Sequence, residues 1–183
     1  MQTRKLNIGC GTNIKPDWVN LDVVPLPGVN VVHNIEKVPL PFQDGEFSEI
    51  LCEDILEHIE YLPVLKDLHR IMCTGGMLHI RVPHFTSQNN FIDPTHKRMF
   101  SVSTFDFFTR SSAKFRERPY YFDFVFERRI EAKITFERGG LLFLFHPFME
   151  WLINKSTKMQ ELYEATFLSR LFPAFNIHIT LVK

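Results

Sequence analysis

Charge of one sign is missing from this sequence. Lysine plus arginine and aspartate plus glutamate each total 21 among 183 residues, so no net field draws the molecule to polyanions, and nucleic-acid binding would require a local patch. Cysteine is scarce. Cys10, Cys52 and Cys73 are odd in number and widely separated, without the paired spacings that hold zinc or a redox disulfide, which fits a reducing, cytoplasmic setting. Long hydrophobic runs are absent too: the most apolar stretch, residues 141–153, is interrupted by His146, Pro147 and Glu150 and falls short of the ~20 residues of a membrane-spanning helix. Residues 1–5 run straight into a strand-like segment without the apolar core of a signal peptide, so export is not expected. The length suits one well-buried core rather than two, and a single domain over 1–183 is expected.

What is present divides unevenly. Seventeen of the 19 phenylalanines lie at or beyond residue 85, so the second half reads as an apolar cap on the first. Short apolar runs bounded by turn residues predict strands at 5–8, 18–24, 29–34, 49–54 and 77–83. Between the last two, Ile59, Leu62, Leu65, Leu68, Ile71 and Met72 recur at the spacing of one helical face, and Thr74-Gly75-Gly76 is expected to stop that helix. Strand, helix, strand implies parallel pairing with a right-handed crossover, hence an α/β sheet covered by helices on both faces. Residues 85–130, rich in Ser, Thr, Asn, Phe and Arg, predict a helical insertion above that sheet. Residues 131–183 then carry strands at 129–136 and 176–182, with helices at 145–154 and 158–171.

The first strand ends in Asn7-Ile8-Gly9-Cys10-Gly11, where the glycines let the backbone turn sharply and approach a ligand. Asp22 closes the second strand, at the carboxyl edge where open α/β sheets bind ligands, and its carboxylate can accept ribose hydroxyls. The dinucleotide fingerprint fits poorly: Ile14 stands where a third glycine belongs, and Asp22 follows Gly9 by 13 residues rather than the ~20 that fold uses.

Together with Trp18-Val19-Asn20-Leu21-Asp22, the Val38-Pro39-Leu40-Pro41-Phe42 segment with Asp44 and Phe47, and Ile55-Leu56-Glu57-His58-Ile59, this start resembles the class I S-adenosylmethionine-dependent methyltransferases over roughly residues 5–84. The likeness is to small members that open Leu-Asn-x-Gly-Cys-Gly. It implies a Rossmann-like, seven-stranded, mostly parallel sheet with residues 1–84 as the cofactor-binding half, and S-adenosylmethionine as cofactor. Gly9 and Gly11 would then meet the methionine part, Asp22 the ribose, and Asn34 with Ile35 the adenine. Asn7, Cys10, Val23, Asp54 and Ile55 complete the implied cofactor set. Two departures stand out: Asn7 replaces the acid common at that place, and the first crossover is too short for a full helix.

Methyl transfer to oxygen calls for a group whose pKa lies near working pH, which favours histidine. His84, directly after the fifth strand, and His96, in Asp93-Pro94-Thr95-His96, are the leading base candidates, while His58 opens the helix after strand four and shapes the pocket. Read without chemistry, Asp93 to His96 is a proline-bearing turn, and no metal site is expected there. Lys97 and Arg98 suit an anionic substrate group or plain surface charge. The expected acceptor is an oxygen of a small molecule, glycan or lipid-linked substrate. A nucleic-acid substrate rests on Arg110, Lys114, Arg116, Arg118, Arg128, Arg129 and Lys133 interleaved with aromatics; a non-catalytic, cofactor-binding partner protein rests on Asn7 and the short crossover. The apolar segment 141–153, tipped by Trp151, suits core packing, a membrane surface or a homodimer contact.

Overall fold

The computed structural model describes residues 4–137 and 145–183. In chain order, β1 (Arg4–Ile8), β2 (Val19–Asp22), β3 (Val31–Val32) and β4 (Phe47–Glu53) precede a 3-10 turn at Leu56–His58 and helix α1 (Tyr61–Ile71). Strand β5 (Met72–Pro83) follows, then the short helices α2 (Asn89–Ile92) and α3 (Ala113–Glu117), with a 3-10 turn at Thr104–Phe108 between them. Strand β6 (Arg128–Ile134), helices α4 (His146–Ile153), α5 (Thr157–Ala165) and α6 (Leu168–Leu171), and strand β7 (Asn176–Val182) complete the chain.

The strands form one seven-stranded sheet in the order β3-β2-β1-β4-β5-β7-β6. From β3 to β5 all pairing is parallel, and β7 runs antiparallel between β5 and β6. This is the Rossmann-like α/β architecture expected of the sequence. Its centre is buried almost completely: Leu6, Ile8, Leu21, Ile50, Cys52, Leu78 and Ile80 are at most 2% exposed, which is why these strands read as near-continuous apolar runs.

Short crossovers are a feature of the whole first half, since no helix joins β1 to β2, β2 to β3 or β3 to β4. Side-chain amides do the pinning instead. Asn7 Nδ2 donates to the Asn13 carbonyl at 2.8 Å and to Asn20 Oδ1 at 3.0 Å, and Asn20 Nδ2 donates in turn to the Lys15 carbonyl at 2.9 Å. Helix α1 buries Val64, Leu65, Leu68 and Ile71, while Leu62, expected on that face, is 40% exposed. The helix does not run on to Gly75: Met72 already pairs with Phe47, and Met77 with Glu49. Residues 73–76 therefore bulge, and Gly75 (φ 77°) and Gly76, where a Cβ would lie 2.9 Å from the Cys73 carbonyl oxygen, serve that bulge.

The 85–130 insertion is helical only in pieces, none longer than five residues. Its phenylalanines hold it together: Phe100, Phe105, Phe108 and Phe126 are at most 1% exposed, and the Phe100 and Phe105 rings stack at 5.7 Å. The apolar segment of the C-terminal part lies in the described residues only from 145 onward. There α4 buries Met149 and Ile153 and exposes Phe148 and Trp151. No helix among the described residues is long and apolar enough to cross a membrane.

Candidate active site

At the carboxyl ends of β1 and β2, Gly9 takes φ 63° and Gly11 φ 48°, left-handed values that glycine adopts at no steric cost. The turn is tied to its neighbour by Cys10 N–H, which donates to the Leu21 carbonyl at 3.0 Å, and by Gly11 N–H, which donates to Asp22 Oδ2 at 2.7 Å. Asp22 Oδ1 accepts from Val24 N–H at 3.0 Å. Two backbone donors thus fix the carboxylate, and each oxygen keeps a lone pair for a further donor. Above Gly11 the space is open, with no atom within 4 Å of where a Cβ would stand.

A cavity of about 440 Å³ lies against this turn, lined by Gly9, Asp22, Val23, Asn34, Ile35, Glu36, Ile55, His58 and Ile59. That volume falls in the range of about 300–1,000 Å³ usual for small-molecule sites. The structure thus brings together Gly9, Asp22, Val23, Asn34, Ile35 and Ile55 of the expected cofactor residues. Asn7 and Cys10 are buried behind the turn and line no described cavity, and the Asn7 amide group is spent on the Asn13 and Asn20 contacts. Burial, reinforced by Asp22, pushes the Cys10 thiol up, so it is no nucleophile.

Asp54 turns away from this cavity. With φ 55° it swings the chain out of β4 into the 3-10 turn, and its carboxylate receives Arg81 through Nε at 3.0 and 3.1 Å. It lines a second cavity, of about 350 Å³, with Glu57, His58, Pro83, Asn89, Ile92, Asp93, His96, Phe175 and Asn176. His58 borders both cavities.

The insertion supplies one wall of this second cavity because its 93–98 turn is docked on the 3-10 turn. Lys97 and Arg98 N–H both donate to the Glu57 carbonyl, at 2.7 and 3.2 Å. That docking sets the His96 ring edge-on to His58 at 4.5 Å. The Lys97 and Arg98 side chains reach Glu36 and Glu60, at 3.7 and 2.5 Å. Glu57, which sequence reasoning passed over as a site residue, is 1% exposed, and burial pushes its carboxyl up to about 7. Burial and the neighbouring His96 pull the His58 imidazole down.

His84 is a correction. Expected as a base at the sheet edge, it is fully buried and lines neither cavity. Its Nδ1 accepts Thr86 N–H at 3.1 Å, so Nε2 carries the proton that it donates to Glu164 Oε1 at 3.1 Å. Ser101 Oγ and Val102 N–H hold the same carboxylate, each at 2.8 Å. Glu164 of α5 therefore ties together the end of β5, through His84, and the insertion, through Ser101 and Val102. Several of the basic residues in the suspected nucleic-acid patch are likewise committed: Arg110 pairs with Glu127, Arg129 with Asp106 and Lys133 with Glu150.

No family model matches the chain. An uncharacterised protein of Methanocaldococcus jannaschii is 38% identical over 53 residues, 29% of this chain and 21% of that one; the chain thus matches about a fifth of that relative's length. Among solved structures, an S-adenosylmethionine-dependent methyltransferase of Archaeoglobus fulgidus is 22% identical with a TM-score of 0.61, over 99% of this chain and 86% of its own. One of Thermotoga maritima is 15% identical with a TM-score of 0.56, over 100% and 83%. One of Mesorhizobium loti is 12% identical with a TM-score of 0.51, over 98% and 90%. At such identities the likeness establishes a common fold, that of S-adenosylmethionine-dependent methyltransferases.

Proposed function

We propose that this chain is an S-adenosylmethionine-dependent methyltransferase of the small type that opens Leu-Asn-x-Gly-Cys-Gly. In this reading the cofactor lies in the first cavity and an acceptor oxygen, on a small molecule or a glycan or lipid-linked substrate, enters the second. The observation that carries it is the cavity at the carboxyl ends of β1 and β2, walled by the Gly9 turn and the Asp22 carboxylate. When bound, the cofactor supplies an activated sulfonium methyl.

The protein's part is mainly to position and exclude water. Asp22 accepts the ribose hydroxyls, Asn34 with Ile35 meets the adenine, and the Gly9 to Gly11 turn, open above Gly11, receives the methionine end. The acceptor side is furnished by His58 and His96, with Glu57 behind them, and these are the groups available to orient the acceptor and draw off its proton. A catalytically silent partner protein would share the first cavity and show binding without turnover. A nucleic-acid acceptor is the second reading, and it loses Arg129, whose guanidinium is held by the largely buried Asp106.

Calorimetry with S-adenosylmethionine tests this reading. Saturable binding is expected, weakened at least tenfold by Asp22→Ala with the fold intact. An absence of binding at millimolar cofactor overturns it, and unchanged affinity in Asp22→Ala removes the ribose assignment. A labelled-methyl screen over sugars, lipids, small acids and RNA then identifies the acceptor. In that assay His96→Ala is expected to lower turnover at least tenfold while sparing cofactor affinity.

A further inference from the structure

Three side chains converge in the second cavity in a way the methyltransferase reading does not require. One carboxylate oxygen of Glu57 and one ring nitrogen from each of His58 and His96 all lie within 4.8 Å of one another. Glu57 is 1% exposed, yet neither of its carboxylate oxygens has a hydrogen-bond partner among the described residues. A buried carboxylate without a donor is costly enough that folded proteins seldom keep one without a use. His96 Nδ1 is likewise buried and unpartnered.

Around these groups a supporting set is already built. Thr95 Oγ1 donates to Asp93 Oδ1 at 2.6 Å, and having one hydrogen it must accept from His58 Nδ1, which stands 2.8 Å away. His58 is thereby held as the tautomer that leaves its Nε2 lone pair free, the state a metal ligand needs. Asp93 Oδ2 lies 3.8 Å from His96 Nε2, so the same acid stands behind both imidazoles. The carbonyl of Glu57 is fixed by Lys97 and Arg98 N–H, which makes the spacing of the three donors a property of the docked turn.

We infer that Glu57, His58 and His96 bind a divalent transition-metal ion, with the remaining coordination positions open to the second cavity. Two imidazoles and one carboxylate are a borderline nitrogen and oxygen set, suited to zinc, cobalt, manganese or iron rather than to calcium. Ligands at about 2.0–2.2 Å from such an ion lie roughly 3–4 Å from one another, a spacing compatible with donors that all lie within 4.8 Å of one another. The role of the ion toward the acceptor rests on the methyltransferase reading: it would take the acceptor's oxygen as a ligand and lower its pKa, so that the two imidazoles act through the metal instead of as free bases. The binding of the ion does not depend on that reading.

The test uses the full chain, stripped with chelator and titrated with zinc and, separately, cobalt. Wild type is expected to bind one equivalent, with a visible cobalt absorption band and a zinc-dependent rise in melting temperature. Glu57→Gln and His96→Ala are expected to lose at least tenfold in affinity and the cobalt band. Thr95→Val, which leaves every ligand in place, is expected to lose about tenfold and guards against a ligand variant that fails to fold. No saturable binding by wild type, or wild-type affinity in Thr95→Val together with the folded ligand variants, overturns the site. Cofactor affinity measured on the metal-free protein separates the two readings: its absence sinks the methyltransferase proposal while leaving the metal titration standing.

Discussion

A Cβ at Gly9 would stand 2.1 Å from Ile55 Cδ1 on a backbone of φ 63°, so two penalties act at one position. Gly9→Ala is expected to lower stability by about 2–4 kcal/mol, combining the left-handed backbone with overpacking; adding Ile55→Ala should recover the overpacking share alone, as chemical denaturation will read. His84→Ala should act on stability and not on cofactor affinity, because it removes one of the three donors to the Glu164 carboxylate and leaves a void in a fully buried site, at a cost of about 2–3 kcal/mol. His69 predicts a pH dependence. Burial, with Lys183 nearby, pulls its pKa below the ordinary value, while its Nε2 donates to the Val125 carbonyl at 3.0 Å. The unfolded chain therefore takes up this proton first as pH falls, and stability declines on acidification below about 6.5, the ordinary imidazole value. Melting curves between pH 8 and 5.5 should show that decline, with a shallower slope in His69→Gln. At this scale Gly9 and Asp22 were legible in the sequence because turn chemistry and strand ends are local. Glu57 was not: its importance comes from His96, which only the docking of the insertion brings to it.

Among elements, the contact between α1 and the loop before β4 ties the Val38-Pro39-Leu40-Pro41-Phe42 segment and Asp44 to one helix. Asp67 Oδ2 accepts Leu40 N–H at 2.7 Å, and Arg70 donates to Asp67, to Asp44 and to the Leu40 and Phe42 carbonyls. Arg70→Met is expected to destabilise by about 3 kcal/mol, since Asp67 is largely buried and loses its cation, with thermal unfolding as the measure. Strands β1, β4, β6 and β7 lie within two residues of their expected ends; the inner strands are written by their buried apolar residues, whereas β6 is a largely exposed edge strand of alternating character. Helix α1 ends at Ile71, one residue before the expected Met72, but β5, expected from 77, begins at Met72 because it pairs with β4 from there onward, a tertiary gain that periodicity cannot see. The insertion was the least readable element, for its phenylalanines pack as a cluster without helical spacing and so carry no period.

For the molecule as a whole, parallel pairing of β4 with β5 followed from the strand, helix, strand pattern, the seven-stranded sheet from the family resemblance, and the first cavity from the residues at strand ends. Two facts escaped: the second and third crossovers lack helices, as the short first one was expected to, and a second cavity adjoins the first. Asn7, expected as a ligand group, is with Asn20 a fastener of the first crossover. The adjoining cavities have a thermodynamic corollary. His58 borders both, so an occupant of one that shifts this ring is felt in the other. Whatever factor an occupant on one side applies to affinity on the other is returned to it unchanged, because heterotropic linkage is reciprocal.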